Sequence, residues 1–254
     1  MKSILKVSSL TLIAILIASF TYAQALMPQP STGQTIIQDF GLGKVTIIYS
    51  RPDAKGRKVF GNLVPYNQVW RTGANNATSI TFTDEVMMAG NKVPAGTYAL
   101  FTIPTPTEWT IILNKTVQQW GSYNYKQEDD LLRIVVKPNI TATSTETFTM
   151  QFANVTPSVM YLNISWENTS LNIPLTVDFD AKVMANIENA MAGEKKPYFA
   201  AAQYYYNNNK DLNPLVYGPE ARFKQFLYFD SIISSTNSIF FVIYIETSVP
   251  TVAV

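Results

Sequence analysis

Apolar and polar residues alternate with a period of two along much of the chain between about Thr35 and Asp178. Val45, Ile47 and Tyr49 take one parity, and Thr46, Ile48 and Ser50 the other. Phe148, Met150 and Phe152 alternate in the same way with Thr147, Thr149 and Gln151. Two later runs repeat the pattern, Met160-Leu162-Ile164-Trp166 and Leu171-Ile173-Leu175-Val177. Successive side chains of a strand point to opposite faces, so each run predicts a strand with one core face and one wet face. Further strands are expected near 79–83, 97–103, 108–114 and 131–137. Turn residues separate them: Gly41-Leu42-Gly43, Ala89-Gly90-Asn91 and Asn168-Thr169-Ser170. Many short strands without intervening helices predict a mainly β fold, an antiparallel β-sandwich. Pro174, on a polar face, places its strand at a sheet edge.

The period then lengthens. Val183, Ile187 and Met191 form one helical stripe after a candidate Asp180 cap, and Gly193 ends it. Pro197 can open a second helix in which Phe199, Ala202 and Tyr206 share a face. This short α-helical hairpin, 180–212, is sized to cover one end of a sandwich or to begin a helical repeat, and offers a surface for a protein partner. The tail 213–254 matches neither pattern and carries charge only at Glu220, Arg222, Lys224, Asp230 and Glu246. It reads as a shifted frame or truncated gene end, or else as an added β-hairpin. At the opposite end, Lys2 and Lys6 precede an apolar run over 10–20, followed by the small residues Thr21, Ala23 and Ala25. That is the plan of a signal peptide, 1–23, cleaved after about Ala23. The run is short for a membrane anchor, which takes ~20 apolar residues. A periplasmic or secreted location follows, with no membrane span in the mature chain and the sandwich domain over 34–178.

Composition narrows the chemistry. With 19 basic and 18 acidic residues the net charge is +1, without the basic excess of a nucleic-acid binder. Nearly half of the residues, 47%, are apolar, so an exported chain of this size can build its core without disulfides, and cysteine is absent. Histidine is absent too, which removes Ser-His-Asp and Cys-His catalysis and His-ligated metals. No cofactor and no metal is expected. Gly41-Leu42-Gly43 lacks the third glycine and the following helix of a dinucleotide site.

Four groups remain as candidates. Arg51, Lys55, Arg57 and Lys58 form a basic turn, either an anion clamp or a solvated hairpin whose arginines pair with Asp53, Asp129 or Asp130. In the segment from Trp70 to Thr78, Arg71 and Asn75 stand among small residues that allow a ligand to approach the backbone. The plainer alternative puts Trp70 in the core and an asparagine in a left-handed turn. Trp120 and Tyr123 offer an aromatic wall for a sugar, or else a loop pinned by buried rings. Glu128, Asp129 and Asp130 are the compact acidic group, a candidate for hydrolysis or calcium, or a structural pair of Asp130 with Arg133.

The ordered series YSRP, KGR, VFGNLVPY, VWRTGAN, VPAGTYALFTIP, WTIILN, QWGSY and DDLLR resembles a family of exported bacterial proteins, domain of unknown function 2911, found mainly in Bacteroidetes. The resemblance covers about Gln34 to Asp178. It implies compartment and fold, and it implies no activity. The function expected from the residues is non-enzymatic binding of a polar ligand, a glycan or an anionic polymer or small molecule. Its site would comprise Arg51, Arg57, Trp70, Arg71 and Asn75, with Trp120 and Tyr123 as a stacking wall. The alternatives are a carboxylate- or cation-dependent hydrolase and a purely structural envelope protein.

Overall fold

The computed structural model describes residues 27–193 and 195–211. The expected signal peptide and the tail from 213 lie outside the described residues. The chain divides between Phe179 and Asp180 into two compact units.

The first unit holds two antiparallel sheets. Strands β1 (Thr32–Phe40), β2 (Gly43–Arg51), β3 (Thr78–Phe82), β6 (Gly96–Pro104), β7 (Trp109–Asn114) and β8 (Asp130–Val136) form one, in the order β1-β2-β3-β6-β7-β8. The other runs β5-β4-β10-β9, from β4 (Val86–Met88), β5 (Asn91–Val93), β9 (Asn139–Ala153) and β10 (Val159–Thr176). The expected sandwich is therefore what forms. Val45, Ile47, Ile80, Phe82, Leu100 and Ile111 from the larger sheet share a core with Met88, Met150, Leu162, Ile164, Ile173 and Leu175 from the smaller. The Gly41 turn closes the first hairpin, Phe40 opposite Gly43, and Gly90 turns the β4–β5 hairpin.

At one corner the sheets are stitched together. Past β2 the chain leaves its own sheet and pairs with β9: Phe148 N–H donates to Pro52 O, and Ala54 N–H to Glu146 O. The Tyr49 hydroxyl bridges the same gap, accepting from Met150 N at 2.9 Å and donating to Gln34 Oε1 at 2.6 Å. Burial raises its pKa above the ordinary tyrosine value.

Aromatic rings fill the core nearby. Trp70 stacks on Trp166 with centroids 5.8 Å apart, and meets Phe60, Trp109 and Phe148 edge-on at 6.1, 6.3 and 5.2 Å. Such pairs stabilise beyond the area they bury. The indole N–H groups of Trp70 and Trp166 are satisfied, by Gly73 O and Glu146 O.

Three expectations need correction. Asn168-Thr169-Ser170 is not a turn, because β10 runs through it as a single 18-residue strand. Its register against β9 shifts on either side of Glu167, which sits at φ 52°, and the buried parity changes from even at Trp166 to odd at Leu171. A bulge-like irregularity changes parity without ending a strand, and so it mimics two strands joined by a turn. Pro174 lies on an interior strand of the smaller sheet, although β9 pairs with β10 no further than Ser170, so the strand is an edge locally at the proline. In the second unit, α1 (Asp180–Met191) and α2 (Tyr198–Asn207) form where expected, but α2 buries Ala201 and Tyr205 rather than the Phe199-Ala202-Tyr206 face. Its apolar and aromatic residues surround the helix, so periodicity did not select a face. Asp180 accepts hydrogen bonds from Lys210 and Tyr204, which tie the start of α1 to α2 and the chain just past it and hold the carboxyl below its ordinary pKa. No helix among the described residues is long and apolar enough to cross a membrane.

The aromatic core yields a stability prediction. Trp70→Ala and Trp166→Ala should each lower unfolding free energy by about 3–5 kcal/mol. Ile48→Thr, on an exposed position of β2, should stay within about 0.5 kcal/mol. Urea titration followed by far-UV circular dichroism reads both.

Candidate functional site

The segment between Trp70 and Thr78 leaves the larger sheet and returns to it. Trp70 exchanges backbone hydrogen bonds with Thr102 on β6, and Thr78 N–H closes the excursion onto Arg71 O. Inside it the backbone is unusual: Thr72, Gly73 and Asn75 all have positive φ, at 55°, 150° and 59°. A β-branched residue at positive φ is strained. Thr72 is held there by burial, by its hydroxyl's contacts with Trp70 O and Thr102 Oγ1, and by the 2.6 Å hydrogen bond from Thr78 Oγ1 to Thr72 O. Gly73 has no alternative, since a Cβ there would lie 2.9 Å from Ser50 O.

A second loop packs beside the first. Asn76 bridges Trp120, Gly121 N–H donates to Asn75 O at 3.0 Å, and Ala77 N–H to Gln119 O at 2.8 Å. Tyr125 secures this loop by packing edge-on against Phe101, on the outer face of the sheet. Trp120 and Tyr123 remain at the surface, 61% and 83% exposed. A Cβ on Gly121 would lie 2.8 Å from the Tyr123 ring and 3.7 Å from Arg71 Nη1. The tyrosine ring and the guanidinium therefore meet around one glycine.

Arg71 is half-buried, and its Nε is a buried donor without a hydrogen-bond acceptor among the described residues. Burial lowers its pKa, and the neighbouring Tyr123 opposes that shift. The other buried side-chain atom without a partner among the described residues is Gln119 Oε1, in the paired loop. Asn75 is a positioning residue here. Its Nδ2 reaches Ser31 O and Ser50 Oγ, which ties the first loop to β1's approach and to β2.

The structure thus brings together four of the seven expected residues, Arg71, Asn75, Trp120 and Tyr123, and separates the other three. Trp70 is 8% exposed inside the aromatic core and has no free ring face. Arg57 folds onto its own turn, donating to Ala54 O and Asp53 O. Arg51 points to the other face of β2 and donates to Phe148 O and Thr149 Oγ1. It lines an open cleft of about 340 Å³ with Gln34, Ile36, Gln38, Gln151 and Phe152, between the edge strands β1 and β9. Main-chain carbonyls and the Thr149 hydroxyl satisfy the arginines of the basic turn, in place of the carboxylates that the solvated-hairpin reading paired them with. Gly121 and Thr72 were not singled out. A glycine between two aromatics was a visible signal, whereas the strain at Thr72 has none in sequence.

The acidic group is structural in its geometry. Asp130 Oδ1 accepts from the buried Asn114, and its Oδ2 accepts from Tyr125 and Arg133 at 2.7 and 2.8 Å. Asp129 Oδ2 accepts from Thr116. Both aspartates are engaged in holding the loop's base to β7 and β8, leaving no free pair of carboxylates here for hydrolysis. No cluster of three or more metal-ligating side chains occurs among the described residues. Desolvation, with the Asp130 hydrogen bond and charge, pushes the Tyr125 pKa up to about 12.

Two tests follow. Asp130→Ala removes the partner of a largely buried network and should cost about 3 kcal/mol. Arg71→Met removes an uncompensated charge and should leave the urea midpoint unchanged or raised. Because Tyr125's folded pKa lies above its unfolded value near 10, its contribution is complete below about pH 10 and is lost as pH rises through about 12. Tyr125→Phe should therefore flatten the loss of stability over that interval, measured by urea midpoints across alkaline pH.

No curated protein and no solved structure matches this chain. A family model does, over residues 31–175, more than half of the sequence. That span holds both sheets almost entirely and both loops of the corner, and the chain belongs to the family described as protein of unknown function (DUF2911).

Proposed function

We propose that this chain is an exported, non-enzymatic module that binds a polar ligand, a glycan or anionic polymer, at the corner where the 71–77 and 119–125 loops meet. The binding module is the sandwich domain, 34–178, and export follows from the signal-peptide plan of 1–23. The observation that carries the proposal is Arg71: a half-buried guanidinium without a hydrogen-bond or ion-pair partner among the described residues, beside the exposed Tyr123 ring, in a corner whose second loop also exposes Trp120. Half-burying a charge without a counter-charge is unfavourable, and an anionic ligand at the terminal nitrogens compensates that charge. Exposed Trp and Tyr faces stack on the apolar faces of sugar rings while their polar tips remain wet. Strain at Thr72 fits a loop held for binding. The hydrolase alternative has less support, since Asp129 and Asp130 are already hydrogen-bonded within the fold.

An array of immobilised glycans and anionic polymers tests this. The protein should bind a defined subset. Trp120→Ala/Tyr123→Ala should lose at least about tenfold in affinity, a loss of about 1.4 kcal/mol, while its melting temperature stays close to the parent's. Arg57→Ala, outside the corner, should bind like the parent. An empty array, or full binding by the double aromatic variant, refutes the proposal.

A further inference from the structure

The charge pattern of the corner narrows the ligand. Among residues 71–78 and 119–125, Arg71 is the one charged side chain; the rest are small, amide, hydroxyl or aromatic. Sites for sulfated or phosphorylated polymers gather several cations, because each group carries a full charge or more and their spacing along the chain is short. One guanidinium suits one carboxylate, which it meets with two parallel N–H···O bonds. Nε is sealed in, so the terminal nitrogens, of which Nη1 lies toward Gly121 and Tyr123, are the end of the fork that meets a ligand.

The aromatic geometry adds a second condition. The Tyr123 ring lies against Gly121 within reach of Arg71, and Trp120, the residue before that glycine, is exposed as well. A ligand satisfying both features has an apolar ring face and a carboxylate projecting from the edge of the same ring. A uronic acid residue has that shape: its C–H groups form the face, and the carboxylate extends laterally from C5. A neutral sugar supplies the face without the anion, and an acidic peptide supplies the anion on a flexible stem without the ring.

We infer that the ligand is an acidic polysaccharide of uronic acid residues, one sugar ring stacked on Tyr123 while its carboxylate pairs with Arg71. This inference rests on the corner being a glycan-binding site. Because a single ion pair is involved for each bound sugar, binding should weaken only modestly with salt, unlike that of a charge-dense site.

Polygalacturonate oligomers and their fully methyl-esterified counterparts share a backbone and differ in the carboxylate, so isothermal titration with both isolates the Arg71 contact. The parent should bind the free acid at least about tenfold more tightly than the ester. Arg71→Gln should erase that difference and keep the weaker, stacking-dependent binding of the ester. Trp120→Ala/Tyr123→Ala should weaken both, and Arg57→Ala should change neither. Equal binding of acid and ester, with the aromatic variant impaired, overturns the carboxylate assignment and leaves glycan binding standing. Preference for heparin or polyphosphate over polygalacturonate also overturns it. Failure to bind any glycan, acidic or neutral, removes both this inference and the proposed function.

Discussion

Trp70 stacks on Trp166 of one sheet and meets Trp109 of the other, while its backbone pairs with Thr102 on β6. One residue therefore ties the two layers together and fixes where the 71–77 excursion leaves the sheet. The indole N–H closes onto Gly73 O, so the first turn of that excursion is anchored to the core as well. Arg71 lies between these two fixed points. Its position at the surface corner is a consequence of how an indole three bonds of chain away is packed. The aromatic core and the candidate site are in this sense one construction.

The arginines show how the protein distributes its hydrogen-bond acceptors. Arg51 and Arg57 take backbone carbonyls at the stitched corner and its turn, and Arg133 takes Asp130 and Tyr125. Each of these cations stabilises a place where the chain changes direction or a loop meets a strand. Arg71 is supplied with a burial environment and a phenol ring but no carboxylate. A buried donor without an acceptor and a half-buried charge without a counter-charge both weaken the folded state, so Arg71 adds none of the stability that the other arginines supply.

Much of the fold was legible because a strand with one buried face writes its periodicity directly into the sequence. Val45-Ile47-Tyr49 and Met160-Leu162-Ile164-Trp166 have the predicted burial. The parity change around Glu167 was visible too, but a local sequence does not distinguish a turn from a register irregularity, since both interrupt alternation. The site was legible only in part. Motifs at 70–78 and 120–125 identified the segments, whereas their meeting depends on the Asn76–Trp120 bridge, across more than forty residues of chain. Trp70 and Arg71 are adjacent in sequence and go to opposite environments, core and corner. Composition marks both as notable and gives neither direction. Likewise Arg57 is spent on its own turn by backbone carbonyls, which no sequence pattern exposes.

The ring of Tyr123 rests on Gly121, where any side chain would collide with it. An aromatic side chain that is 83% exposed would ordinarily sample several rotamers. Here the bare glycine provides a seat that favours one of them, so less conformational freedom is lost when a partner settles on the ring. In the proposed site, the smallest residue in the loop thus acts on affinity through the entropy of the ring it seats, with no contact of its own to the ligand.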